Sequence, residues 1–154
     1  MRILVVSDTH GDAYALRQAI LAQPTAHTVI HLGDGVREAE SLATKFSDRT
    51  FYIVRGNCDL ATDHLPMREE RLGGRRVFFT HGHLYDVKYD LYRLVCAARE
   101  REAHLALFGH THQPLSTYDD GLYLLNPGSL GHSGQYATVD IVPSGILPIL
   151  QHLR

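Results

Sequence analysis

Residues 2–12, RILVVSDTHGD, decide how the rest of the chain is read. RILVVS is almost continuously apolar and rich in Val and Ile, the pattern of a short strand buried on both faces. The chain then turns polar at once, through Asp8, His10, Gly11 and Asp12. Asp12 has the chemistry of an N-cap for a helix with Ala13, Leu16, Ala19 and Ile20 on one face, stopped by Pro24. The same unit follows again. TVIHL (28–32) reads as a second strand and ends in Gly33-Asp34. The next helix carries Val36, Ala39, Leu42, Ala43 and Phe46 at helical spacing, and FYIV (51–54) is a third strand. Strand–helix alternation of this kind argues for an α/β start with parallel strands.

Further on the pattern changes. REERL and RRVFFT flank Gly73-Gly74, a hairpin signal. A helix is expected over about 86–103, with Leu91, Leu94, Val95 and Ala98 inward, followed by the buried strand LALF (105–108). From there only strands are read: LSTY and LYLL about the turn DDG, then QYATVDIV and ILPILQHL about PSG. The first half is therefore α/β and the second half mostly antiparallel, which suits two packed sheets with helices outside. No repeat, low-complexity tract or linker divides the chain, so 1–154 is expected to be one domain.

Composition narrows the function classes. A formal net charge of −2 gives no overall basic footprint for nucleic acid. The opening apolar run is far too short for a signal-peptide core or a membrane span. The two cysteines, Cys58 and Cys96, stand far apart with no CxxC spacing, so a reducing, cytoplasmic setting fits better than a disulfide scaffold. Eleven histidines against two cysteines mean that a bound metal would take nitrogen and oxygen ligands rather than thiolates.

Every expected strand in the α/β part, and two later ones, end in a group with lone pairs. After ILVVS come Asp8 and His10; after VIHL, Gly33-Asp34; after YIVR, Gly56-Asn57; after VFFT, His81 and His83; after LALF, Gly109, His110 and His112. Open α/β sheets bind ligands outside the carboxyl ends of their strands. Residues i and i+2 of an extended segment point the same way, so Asp8 with His10, and His110 with His112, can each aim two groups at one point. An isolated D-x-H or H-x-H is ordinary surface. Five together, each at a strand end, point to a shared metal centre.

In this order DTHGD, GDGV, GNCD, THGH and GHTH resemble the motifs of the calcineurin-like metallophosphoesterases, most closely the small bacterial and archaeal phosphodiesterase branch, and NPGS (126–129) is similar to that branch too. The resemblance implies a four-layer αββα sandwich of two mixed sheets with a two-metal site at one edge. It implies that Asp8, His10, Asp34 and His112 bind one metal, and that Asp34, Asn57, His81 and His110 bind the other, with Asp34 bridging. The implied activity is attack on a phosphodiester by hydroxide held between two divalent ions, with small-molecule phosphoesters as substrates and Asp34, Asn57 and His83 as catalytic residues. Imidazole nitrogens suit Mn, Fe, Zn, Ni or Co better than Mg or Ca, with Mn²⁺ the first choice. Two divalent ions against Asp8, Asp34 and one hydroxide leave a centre of about +1, attractive to an anionic diester.

Departures and ordinary alternatives stand beside this reading. Many larger relatives continue the Asn motif with a histidine near the leaving group; here Cys58 stands there, so the proton donor is open among His83, Asp59 and a metal-bound water. Cys58 itself reads as a packed thiol. His83 reads equally as a site residue or a support, and Asp59 equally as an orienting carboxylate or a loop cap. His31 reads as a satisfied core histidine, and His27, His64, His104, His132 and His152 as surface. Arg55 could reach a phosphate, with an ordinary salt bridge the simpler reading; Asn126 and Ser129 could line the cleft or cap a turn. Tyr85, Tyr89 and Tyr92 fall at helical spacing, as a core stripe or a subunit contact, and a homo-oligomer is compatible with the chain. The rival function is a protein-binding scaffold, as in the retromer subunit of similar fold. No GxGxxG follows a strand, which argues against a dinucleotide site. No segment reads as a cap domain, so an open cleft and a permissive enzyme are expected.

Overall fold

The computed structural model describes residues 1–154. Its first sheet contains β1 (Arg2–Val6), β2 (Thr28–His31), β3 (Thr50–Ile53), β9 (Gln135–Val142) and β10 (Gly145–His152), in the order β10-β9-β1-β2-β3. The second contains β4 (Met67–Leu72), β5 (Arg75–Thr80), β6 (Leu105–Leu107), β7 (Leu115–Asp119) and β8 (Leu122–Asn126), in the order β4-β5-β6-β8-β7. Strand periodicity assigns the layers. Ile3 and Val5 of β1 join Ile30, Val77, Phe79, Leu105 and Leu107 in a core between the sheets. Leu4 and Val6, one residue out of step, face Leu16, Ile20, Ala39 and Leu42 of α1 (Ala13–Ala22) and α2 (Val36–Lys45). On the opposite side Phe78, Ala106 and Phe108 pack against Leu94 and Ala98 of α3 (Tyr92–Glu100). The result is a four-layer αββα sandwich, and β1 is buried on both faces because each face meets its own core.

The second half is mostly antiparallel, as expected, in the pairs β4–β5, β7–β8, β9–β10 and β9–β1, with β5, β6 and β8 running parallel among them. Two expectations fail for local reasons. The helix over 86–103 is split. Asp86 adopts φ 52 and closes a short 3₁₀ turn at His83–Tyr85, and the Asp90 carboxylate accepts the Tyr92 N–H at 3.0 Å, so regular helix begins only at Tyr92. The tyrosine stripe breaks with it: Tyr85 packs edge-on against Phe78, while Tyr89 and Tyr92 are 90% and 72% exposed. A four-residue helix, α4 (Leu130–Ser133), appears where only strands were expected. No helix is long and apolar enough to cross a membrane, and both cysteines are unpaired.

Candidate metal centre

Within each sheet the strands leading to the polar loops are parallel, β1 with β2 and β3, and β5 with β6, so their carboxyl ends emerge together. Backbone hydrogen bonds then tie the loops pairwise: Asp8 N–H to Gly33 O at 3.0 Å, His10 N–H to Asp34 O at 2.9 Å, and Gly109 N–H to His81 O at 2.9 Å. Gly109 is required by close approach, since a Cβ there would lie 2.0 Å from Ser7 Oγ and 2.8 Å from Asp8 Oδ2. All seven residues expected to hold metal, Asp8, His10, Asp34, Asn57, His81, His110 and His112, come together. The local geometry is not that of extended strand. Asp8, His10, Asp34, His110 and His112 have φ of 55, 47, 55, 68 and 59°, all in the left-handed region that side chains avoid. Each costs of order 1 kcal/mol or more, strain that surrounding structure must hold in place.

One half of the site forms around His81, which is fully buried. Its Nδ1 lies 2.8 Å from the Leu32 carbonyl, an acceptor, so Nδ1 carries the proton and Nε2 points its lone pair inward. Nε2 then lies 3.0 Å from Asn57 Oδ1, 3.2 Å from His110 Nδ1 and 3.3 Å from Asp34 Oδ2. These are lone pairs facing lone pairs, an arrangement that calls for a cation at their centre. The same crowd of acceptors draws a proton to Nε2 when no cation is bound there. Burial pushes the His81 pKa down, yet the hydrogen bond to Asp34 and the charge of Asp8 outweigh it and raise the net value. For Asp34, burial pushes up, but His81 and the Cys58 N–H together hold the carboxyl below the usual carboxylate range. His110 is depressed to about 4, chiefly by burial and by the charge of His81.

The other half forms around His10 and His112, whose Nε2 atoms stand 3.3 Å apart. Asp8 Oδ1 lies 3.1 Å from His112 Nε2 and 3.6 Å from His10 Nε2. Both carboxylates are held the same way. Asp8 Oδ2 accepts from Ser7 Oγ at 2.6 Å and from the His110 N–H at 3.1 Å, and Asp34 Oδ1 accepts from the Cys58 N–H at 2.8 Å. One oxygen is anchored and the other faces the centre. Asp34 Oδ2 reaches both halves, at 3.3 Å from His81 and 3.9 Å from His10. Two nitrogens at about 2.0–2.1 Å from one ion in a near-tetrahedral set stand about 3.3 Å apart, so the spacings fit transition-metal ligation.

Several neighbours settle between readings that the sequence left open, and Cys58 departs from its own. Asp59 accepts backbone N–H groups from Asp34, Gly35, Val36 and Gly56 at 2.7–3.0 Å, so it caps α2 and has no free oxygen for a proton-donor role. Cys58 is exposed rather than packed, and partial desolvation together with the charge of Asp34 raises its pKa, which keeps it a thiol. Asn126 Nδ2 donates to Gly109 O and Thr111 Oγ1, turning Thr111 away from the centre, and Ser129 caps α4. Arg55 makes no ion pair. His83 sits with its ring 5.5 Å from His81 and 6.2 Å from His110, and its buried Nδ1 has no partner. Burial, His81 and Arg55 lower its pKa.

Glu38, which the sequence did not single out, accepts from Thr9 Oγ1 and the Gly11 N–H, each at 2.6 Å. Its signal was a charged residue on the inner face of α2. Behind it lies His31, fully buried in β2; it takes the Gly33 N–H on Nδ1 and contacts Thr9 Oγ1 through Nε2, so it is neutral. Burial lowers its pKa from 6.5 to about 4. Below pH 6.5 the unfolded chain takes up a proton that the folded chain refuses, so stability is full above that pH and falls towards pH 4. The linkage is about 2 kcal/mol between pH 7.5 and 5.0 from His31 alone, and the depressed His110 acts in the same sense. Denaturant unfolding of chelator-treated protein at the two pH values should find this loss, and His31→Gln should remove much of the slope; an equal slope in the variant would refute it.

Comparison with known proteins places this geometry. The profile of the calcineurin-like phosphoesterase superfamily domain matches residues 1–143. The chain is 34% identical to the probable metallophosphoesterase YsnB of Bacillus subtilis, over 84% of this chain and 75% of that one. It is 28% identical to the phosphodiesterase YfcE of Escherichia coli, over 97% and 91%. It is also 31% identical to vacuolar protein sorting-associated protein 29 of Schizosaccharomyces pombe, over 98% and 86%. A predicted phosphoesterase of Streptococcus pneumoniae has a similar structure, with a TM-score of 0.79 at 25% identity and 97% of both chains covered. With the profile running from β1 through all five lone-pair-bearing loops to the end of β9, the chain belongs to the calcineurin-like phosphoesterase superfamily.

Proposed function

We propose that the chain is a metal-dependent phosphodiesterase acting on small-molecule phosphoesters, with 1–154 working as one metallophosphoesterase domain. The observation that carries this reading is the convergence of lone pairs on two adjoining points. Asp8, His10, Asp34 and His112 surround one, Asp34, Asn57, His81 and His110 the other, and Asp34 Oδ2 faces both. Nitrogen and oxygen donors without thiolate suit Mn²⁺, Fe, Zn, Ni or Co better than Mg²⁺ or Ca²⁺, and Mn²⁺ is the ion we propose for activity. Two divalent ions held there would make hydroxide available at neutral pH for in-line attack on phosphorus and would offset charge on the leaving oxygen.

The chain's own residues supply orientation and charge. Asp34 keeps the two halves in register, and Asn57 completes the buried half with a neutral oxygen. His83, neutral and with its ring beside those of His81 and His110, borders the site where a phosphate or leaving-group oxygen would sit. Arg55 is free of ion pairs and close enough to His83 to depress its pKa, so its charge is available to an anionic diester. Beside Cys58 and Asp59 a cleft of about 780 Å³, lined by Val36, Arg37, Glu40 and Leu60 among others, has room for the ester group. Its mixed lining selects no single alcohol. The expected result is Mn²⁺-dependent hydrolysis of an aryl phosphodiester, with kcat/KM within about tenfold for several unrelated diesters. One strongly preferred diester would overturn the permissive cleft. Bound metal with no turnover under any divalent ion would favour the scaffold reading suggested by the sorting-associated relative. Intact ligands at all seven positions favour catalysis.

A further inference from the structure

We propose that His132 is a third imidazole of the His10–His112 half-site, so that this chain would hold its outer ion through three histidine nitrogens and prefer a nitrogen-seeking metal there. The inference rests on the reading of the site as a metal centre. Ligand nitrogens of His10, His112 and His132 all lie within 4.8 Å of one another. The His132 ring stands 5.0 Å from that of His10 and 4.9 Å from that of His112, stacked on the latter at 29°. No hydrogen bond to its side chain competes for those nitrogens, and ring contacts with His10 and His112 hold it over the half-site.

His132 is also held where it is. It lies in α4, which is fastened to the loop that carries Asp8 and His10. The Leu130 N–H donates to Ser7 O at 3.0 Å, the Gly131 N–H to Asp8 O at 3.1 Å, and Ser129 Oγ to Asp8 O at 3.0 Å. Contact is so close that a Cβ on Gly131 would fall 2.2 Å from Thr9 O. The His132 N–H itself goes to Ser129 Oγ at 3.1 Å. Two segments more than a hundred residues apart thus move as one body, and the three imidazoles keep their spacing. Without His132 the half-site offers two carboxylates and two imidazoles; with it, imidazoles outnumber carboxylates. Imidazole suits Zn²⁺ and the later first-row ions, carboxylate and water suit Mn²⁺, and affinity rises from Mn²⁺ to Co²⁺. His132 therefore biases this half-site towards Zn²⁺ or Co²⁺ over Mn²⁺.

The test uses the full chain, stripped of metal and titrated with Zn²⁺, Co²⁺ and Mn²⁺ against a competing chelator, with bound metal counted per chain and the Co²⁺ absorption spectrum recorded. His132→Ala and His132→Gln change an exposed ring on an anchored helix, and circular dichroism checks their fold. The expected result is that both variants lose about 10–100-fold in Zn²⁺ and Co²⁺ affinity at one of two sites, lose less for Mn²⁺, and shift the Co²⁺ spectrum. Folded variants with unchanged affinities and an unchanged spectrum would overturn the inference while leaving the metal centre standing. A wild-type chain that binds none of the three ions would instead overturn the metal centre itself, and this inference with it.

Discussion

Asp34→Asn is expected to lower kcat/KM for an aryl phosphodiester by about 10³-fold, roughly 4 kcal/mol of transition-state stabilisation, and to reduce bound metal in both half-sites. The argument is positional. Asp34 is 4% exposed, with Oδ1 fixed by the Cys58 N–H and Oδ2 facing His81 on one side and His10 on the other. Asparagine keeps the shape and one oxygen but removes the charge that both halves share. With Asp8 left as the one carboxylate, two divalent ions meet half the compensating charge. The variant should fold. It should also lose some stability at neutral pH, because a carboxyl held below its usual range contributes stability above its unfolded pKa of about 3.9, lost on acidification. Metal counting beside steady-state kinetics checks the prediction; activity within tenfold of wild type with metal content unchanged would overturn it.

The sequence carries the outline of this site because each ligand follows a strand whose apolar run can be read locally. It does not carry the geometry that makes the ligands meet. Asp8 with His10, and His110 with His112, look like i, i+2 pairs in extended chain, yet all four have positive φ. Nothing in the letters marks those residues as left-handed, since it is contact with other loops that holds them there: Gly33 and Asp34 for the first pair, His81 and Asn126 for the second. The same limit hid the role of Glu38 and left Asp59 open between two readings, since the donors to Glu38 and most of those to Asp59 lie 20 or more residues away. His132 was passed over because it follows no strand; its importance depends on α4 docking onto the Asp8 loop, a contact between opposite ends of the chain. Secondary structure failed where polar side chains intervened, at Asp86 and Asp90.

Asp59→Ala is expected to cost about 4 kcal/mol of stability, roughly 8–16 °C in Tm for a chain of this size. The N-cap residue of α2 is Gly35, which has no side chain to satisfy the helix's first N–H groups. Asp59 does so from the next loop, with Oδ1 accepting from Gly35 and Val36 at 3.0 Å and Oδ2 accepting from Asp34 and Gly56 at 2.7 Å. Four donors lose their acceptor together in the alanine variant. Half-burial of Asp59 lets water replace part of that, which keeps the loss below the sum of four charge-assisted bonds. Metal affinity should fall as well, since the Asp34 and Gly56 N–H groups fix the loops that carry Asp34 and Asn57. Asp59→Asn, retaining one acceptor oxygen, should lie between wild type and alanine in denaturant midpoint. The two variants also separate a cap from a proton donor. A proton donor would lose kcat on slow leaving groups in Asp59→Asn with the unfolding midpoint untouched. A cap loses the midpoint first, and loses activity equally for fast and slow leaving groups, because the damage is to the placement of Asp34 rather than to any proton transfer.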